Sequence, residues 1–140
     1  MRVVLDTNVV VSALLWGGAT FRLLQLAQVG DIDLLTSPAL TAELARVLGY
    51  PRLEPRIVAR NMTVAQLVSQ YQAFAQTVLP LTVPAVIKDD PDDDQVLACA
   101  VAGRADLIVS GDKHLHGLGG QYNGISIVRP ADAVRIIEAG

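Results

Sequence analysis

The sequence predicts an α/β protein built on a mostly parallel, five-stranded sheet with helices on both faces. Three observations carry that expectation. Of the 140 residues 51% are apolar yet only six are aromatic, so a core must be made mainly of Val, Leu, Ala and Ile. Short runs rich in β-branched residues alternate along the chain with segments of helical periodicity. Strands that alternate with helices imply a parallel sheet whose two faces are both covered.

The elements follow in order. "RVVLD", residues 2–6, reads as a buried strand, and helical spacing follows in "VVVSALLW" and "ATFRLLQLAQVG", with Gly30 as a stop. "IDLLTS" is a second strand. "SPALTAELARVLG" carries the clearest helix signals, with Ser37 as N-cap, Pro38 at the first helical position and Gly49 just past the end. The prolines at 51 and 55 mark a joint, after which "PRIVARN" starts another helix. "TVAQLVSQYQAFAQ" continues in helix, Thr63 and Gln66 being spaced as a capping box. "TVLPLTV" is a weak third strand, because Pro80 suits only an edge or a strand end. "QVLACAVAG" reads as a helix closed by Gly103, "DLIVSGD" and "GISIV" as the fourth and fifth strands, and "PADAVRIIEAG" as the closing helix.

The length suits a single domain over residues 1–140, large enough to bury roughly two-thirds of its unfolded surface. No apolar run approaches the ~18 residues of a membrane span. Asp6 and Asn8 interrupt the apolar N-terminus, which argues against a signal peptide, and Cys99 has no second cysteine to pair with. A cytoplasmic location is expected. The net charge is −3, but its distribution is uneven. With Asp6, Glu43, Asp89, Asp90, Asp92, Asp93, Asp94 and Asp112 set aside, six acids remain against eleven bases. A concentrated acidic site on a mildly basic body fits a metal-bridged phosphate substrate, and fits an acidic tip without function equally well.

In parallel α/β sheets, ligands bind beyond the carboxyl ends of the strands. Asp6 ends the first strand and Asp112 lies just past the fourth, so the two mark one edge of the sheet. Glu43 shares a helical stripe with Leu40, Leu44 and Val47, near the buried face, where a carboxylate must be paired, hydrogen-bonded or metal-bound. In "KDDPDDDQ", Asp94 aligns with Leu97, Ala98 and Val101, and Asp93 with Val96 and Ala100; Asp94 is preferred, with Asp93 second. Asp89, Asp90 and Asp92 precede the helix and read as solvent-facing or dipole-complementing charge near its N-terminus. Converging carboxylates need a compensating cation, and all-oxygen ligands select Mg²⁺ or Mn²⁺ rather than a typical zinc site. His114 and His116 flank a Gly-rich turn and read as surface residues rather than ligands.

The motifs "LDTNVVVSAL", "SPALTAEL", "DPDDDQVLACA" and "ADLIVSGDKHL", in that order and across essentially the whole chain, resemble those of PIN-domain proteins. The resemblance is greatest to bacterial toxin components of toxin–antitoxin systems, the VapC-type ribonucleases. It implies an α/β/α sandwich and a Mg²⁺- or Mn²⁺-dependent ribonuclease whose acidic quartet is Asp6, Glu43, Asp94 and Asp112, with Asp93 competing for the third position. Asn8 and Ser110 match the polar positions that support such a site. It further implies hydrolysis of RNA phosphodiesters to a 5′-phosphate and a 3′-hydroxyl, a homodimer, and an antitoxin as a separate partner chain.

Two other phosphate chemistries fit less well. A haloacid dehalogenase-type phosphohydrolase needs a second acid two residues after its nucleophile, where this chain has Asn8, and a response-regulator receiver needs a lysine after the last strand, where it has Arg129. A PIN-like module that binds RNA or protein without turnover is a third reading. Arg46, Arg52, Arg56 and Arg60 form a basic stretch suited to RNA phosphates, or simply an exposed helix pair. Leu23, Leu24 and Leu26, with Trp16 nearby, crowd one helix with apolar surface and suggest a dimer or antitoxin contact.

Overall fold

The structure, a computed structural model, describes residues 1–87 and 90–140. β1 (Arg2–Leu5) leads into α1 (Thr7–Leu15) and α2 (Gly18–Gln28), and β2 (Asp33–Thr36) into α3 (Pro38–Leu48). A 3-10 turn (Pro51–Leu53), α4 (Glu54–Ala59) and α5 (Val64–Phe74) precede β3 (Ala75–Thr77). The chain then forms α6 (Pro91–Ala102), β4 (Leu107–Val109), α7 (Lys113–His116), β5 (Gln121–Tyr122), β6 (Ile125–Val128) and α8 (Pro130–Ala139). Among the described residues no single helix is long and apolar enough to cross a membrane.

The sheet order is β3-β2-β1-β4-β6-β5, with every pairing parallel except β5 with β6. It has six strands where five were expected, because Gln121 and Tyr122 fold back antiparallel on Ser126 and Ile125. A two-residue strand leaves no periodicity to read. Side chains alternate across the central strands, so each strand feeds two cores. Val3, Leu5, Leu34, Leu107 and Val109 face α1, α2 and α5, while Val4, Leu35 and Ile108 face α6. This is why the central strands are continuous apolar runs rather than alternating ones.

Local signals account for most helix ends. The Ser37 hydroxyl accepts from the Leu40 amide with Pro38 beside it, and Thr63 and Gln66 form a complete capping box. Three expectations are corrected. The third strand is Ala75–Thr77, in register with Leu34–Thr36, rather than the stretch around Pro80. Pro80 and Pro84 lack the N–H that a ladder needs, so pairing stops before them. α6 begins at Pro91 inside the aspartate block, with Asp90 as its N-cap, so Asp92 lies within the first turn. Leu23, Leu24 and Leu26 are all buried in the core, whereas Trp16 and Phe21 nearby stay exposed. The leucines pack against the chain's own α1, α5 and α8, and of the three only Leu24 reaches the wall of a surface cleft.

The close packing of α6 on the sheet depends on Gly103, its C-cap. A Cβ there would lie 2.5 Å from Leu35 Cδ1 and 3.1 Å from the Cys99 carbonyl oxygen. That approach seats the N-terminus of α6 beside the ends of β1 and β4.

Candidate metal centre

Asp6 is the first residue past β1 and the N-cap of α1. Its amide donates to the Val109 carbonyl at 2.9 Å, which ties it to the end of β4. Its Oδ1 accepts from the Thr7 amide at 2.7 Å and its Oδ2 from the Ser110 hydroxyl at 2.8 Å. Ser110, fully buried just past β4, donates its amide to Val128 on β6. Its hydroxyl oxygen also accepts from the Asp112 amide at 2.9 Å. Asp112 caps α7 in turn, its Oδ1 accepting from the His114 amide at 2.6 Å. One buried hydroxyl thus sets the spacing of two carboxylates. Burial pushes the Asp6 carboxyl above its usual range; the Ser110 and Thr7 hydrogen bonds oppose that, and Asp112 and Asp90 add to it.

Asp93 completes the arrangement from the first turn of α6. It is 3% exposed, and its Oδ2 has no hydrogen-bond partner among the described residues. Burial, then the negative charges of Asp112, Asp6 and Asp90, push its carboxyl up to about 8. A buried carboxylate without a donor or a cation is costly, which is why it holds its proton. One ligand atom from each of Asp90, Asp93, Asp112 and His114 lies within 4.8 Å of the others.

Asp94, the preferred residue by periodicity, is placed differently. Its Oδ1 accepts from the Val86 amide at 3.1 Å and the Ile87 amide at 2.8 Å, so it holds the segment before α6 against that helix. Of the two aspartates, the structure brings Asp93 into the acidic cluster, because a helix start at Pro91 turns Asp93 toward Asp112 and Asp94 toward the preceding chain. Asp90 and Asp92 complement the N-terminus of α6 as expected, Asp92 while still exposed to solvent. Asp90 caps the helix by accepting from the Asp92 amide, and Asp92 pairs with Arg46 at 2.9 Å. Asp89 lies outside the described residues.

Glu43 is half-buried on α3, which packs on α1. Burial raises its carboxyl to about 7; the Thr7 hydroxyl and Arg46 pull it down, and Asp92 and Asp6 push it up. Coulombic coupling to Asp6 and Asp92 puts it at the same end of the sheet, outside the four-residue cluster. Asn8 is exposed on the first turn of α1 and makes no side-chain hydrogen bond among the described residues. The support expected of it falls to buried Thr7.

The four arginines are engaged separately. Arg46 pairs with Asp92, Arg52 lies over Tyr50, Arg56 lies 4.1 Å over Trp16, and Arg60 donates to the Leu15 carbonyl at 2.7 Å. Only Arg46 stands at the acidic end of the sheet.

Sequence reasoning missed His114. It sits on α7 rather than on an exposed turn, with a buried Nδ1 3.4 Å from Asp112 Oδ1 and 3.9 Å from Asp93 Oδ2. The available signal was Asp112 as an N-cap before "KHLHG", where a capping acid and a closing glycine bracket one helical turn. His116 is an anchor for that turn, its Nε2 lying 2.6 Å from the Ser110 carbonyl oxygen.

The residues present fit a divalent cation. The unpartnered Asp93 Oδ2 and His114 Nδ1 both open on the space between Asp93 and Asp112, and the donors are hard oxygens with one imidazole nitrogen.

A sequence profile of the PIN domain matches residues 2–114. Among solved structures, the VapBC2 complex of Rickettsia felis, bound to a DNA fragment from its promoter, includes a similar chain. The TM-score is 0.62 at 14% identity, covering 92% of this chain and 98% of that one, a likeness of fold. Among curated protein sequences none matches.

Proposed function

The chain belongs to the PIN-domain family, and from that premise we propose that it is a metal-dependent endoribonuclease, the toxin of a toxin–antitoxin pair. The observation that carries this reading is Asp93, a buried carboxylate whose Oδ2 has no hydrogen-bond partner among the described residues and lies in one cluster with Asp90 and Asp112. Such a constellation is stable in its ionised form only around a cation. Asp93, Asp112 and Asp90 would hold Mg²⁺ or Mn²⁺, with Asp6 beside them through Ser110 and Glu43 at the edge of the site. When bound, the ion supplies an activated water and neutralises charge on a phosphodiester. Ser110 and Thr7 orient Asp6, and Ser110 orients Asp112. Glu43, with its carboxyl raised to about 7, can accept a proton at neutral pH from a water at the cleft. Arg46, whose ion pair with Asp92 is solvent-exposed, can exchange that partner for an RNA phosphate.

The antitoxin and homodimer belong to the same proposal. Support for a partner chain comes from the cleft of about 450 Å³ lined by Trp16, Phe21, Leu24, Arg60, Met62 and Phe74, whose aromatic rim is exposed. The exposed Asn8, where a haloacid dehalogenase would need its second acid, gives that alternative no support.

Cleavage of a structured RNA in Mn²⁺ or Mg²⁺ tests the reading, comparing the wild type with Asp6→Asn and Asp93→Asn. Cleavage should require the metal and be lost in both variants. Activity that persists in EDTA or in Asp6→Asn would overturn it.

A further inference from the structure

We infer that His114 is a metal ligand through Nδ1, and that this nitrogen tilts the site toward Mn²⁺ over Mg²⁺. The inference rests on the reading above that the acidic cluster holds a divalent cation, and it adds a ligand that the carboxylates alone do not imply.

The ring is positioned by the backbone. Asp112 caps α7 through the His114 amide, and the Gly117 amide closes the turn by donating to the Lys113 carbonyl at 2.8 Å. This directs Nδ1 inward to a position that is buried yet has neither donor nor acceptor within hydrogen-bond geometry among the described residues. A buried ring nitrogen is ordinarily satisfied by a direct hydrogen bond. Here Asp93 Oδ2, at 3.9 Å, is too far for one, and Asp112 Oδ1, at 3.4 Å, is long and does not meet hydrogen-bond geometry.

Those separations are the ones expected of atoms that share an ion. Ligands held about 2.1 Å from a cation stand roughly 3.0 Å apart at right angles, roughly 3.4 Å apart in a tetrahedron and roughly 4.2 Å apart across the ion. Among the described residues, the groups facing Nδ1 from α6 and from the Asp112 cap are Asp90, Asp93 and Asp112, all acids. Two unpartnered atoms that can each offer a lone pair, Asp93 Oδ2 and His114 Nδ1, lie 3.9 Å apart among the described residues.

The selectivity follows from ligand chemistry. Mg²⁺ prefers oxygen donors and retains its waters, whereas first-row transition ions gain from imidazole nitrogen. Removing the nitrogen should therefore cost Mn²⁺ affinity far more than Mg²⁺ affinity.

The test uses the full chain stripped of metal and then titrated with Mn²⁺, read by the electron paramagnetic resonance of the free ion, with Mg²⁺ measured by competition. His114→Ala is expected to weaken Mn²⁺ binding about 10- to 100-fold and Mg²⁺ binding less than about threefold. Electron spin-echo modulation from ¹⁴N should be present on Mn²⁺ in the wild type and absent in His114→Ala. The wild-type spectrum alone tests ligation even if the variant folds poorly. If Asp93→Asn abolishes binding while His114→Ala keeps the wild-type preference and the ¹⁴N signal is missing throughout, the ligand assignment falls and the nuclease reading stands. If the wild type binds neither ion, both fall.

Discussion

Replacing Asp94 separates its role from that of its neighbour one residue earlier. In Asp94→Ala two backbone amides lose their acceptor. The Val86 amide is partly exposed and can turn to water, at a cost of about 1 kcal/mol, whereas the Ile87 amide is buried and costs about 2–3 kcal/mol unpaired. The sum of about 3–4 kcal/mol corresponds to a Tm lowered by about 10 °C in a chain of this size. Asp94→Asn keeps a carbonyl acceptor and loses only the charge assistance, about 1–2 kcal/mol or about 4 °C. Thermal unfolding followed by circular dichroism in EDTA measures these losses. Repeating it with Mn²⁺ at about 100 times its Kd should return about 2.7 kcal/mol to the wild type and to both Asp94 variants, and nothing to Asp93→Asn. The opposite pattern, a metal response lost in Asp94→Asn and kept in Asp93→Asn, would refute the division of labour drawn from the hydrogen bonds.

Other perturbations give equally definite outcomes. Asp93 and Glu43 titrate at about 8 and about 7 in the folded protein against ordinary values of 3.8 and 4.5, so between those limits the folded state holds the extra protons. Metal-free stability should therefore be greatest on the acid side and fall as pH rises from about 4 to about 8, with urea midpoints lower at about pH 8.5 than at about pH 5.5. A flat profile would contradict the burial of Asp93. Mn²⁺ should oppose the fall, because it favours the ionised carboxylates. Ser110→Ala removes the hydroxyl shared by Asp6 and the Asp112 amide, and should weaken Mn²⁺ binding about 10- to 100-fold in calorimetry while the fold persists. Gly103→Ala drives a methyl onto Leu35 and should cost about 1–3 kcal/mol in denaturant unfolding without changing metal affinity.

What the sequence determined by itself was the alternation of strands and helices, most of the long elements, and the end of the sheet where the acids gather. The evidence for this is local. Apolar runs such as "RVVL" and "LIV" are buried on both faces, Ser37-Pro38 and Thr63-Gln66 announce helix starts, Asp6 follows β1 directly and Asp112 lies just past β4. Tertiary structure alone decided which side chains meet. Asp93 and Asp94 are adjacent, and both have apolar neighbours at helical spacing, so periodicity cannot separate them. The choice depends on the exact start of α6 and on what lies across from each residue, the β1 and β4 ends for one and the Val86 and Ile87 amides for the other. His114 became visible for the same reason. A lone histidine after a strand carries no periodic signal, and its environment is made by Asp93, 21 positions away in the chain but 3.9 Å away in space. Periodicity records which face of an element is apolar; contacts between elements, and the charge they leave uncompensated, exist only once the chain has closed on itself.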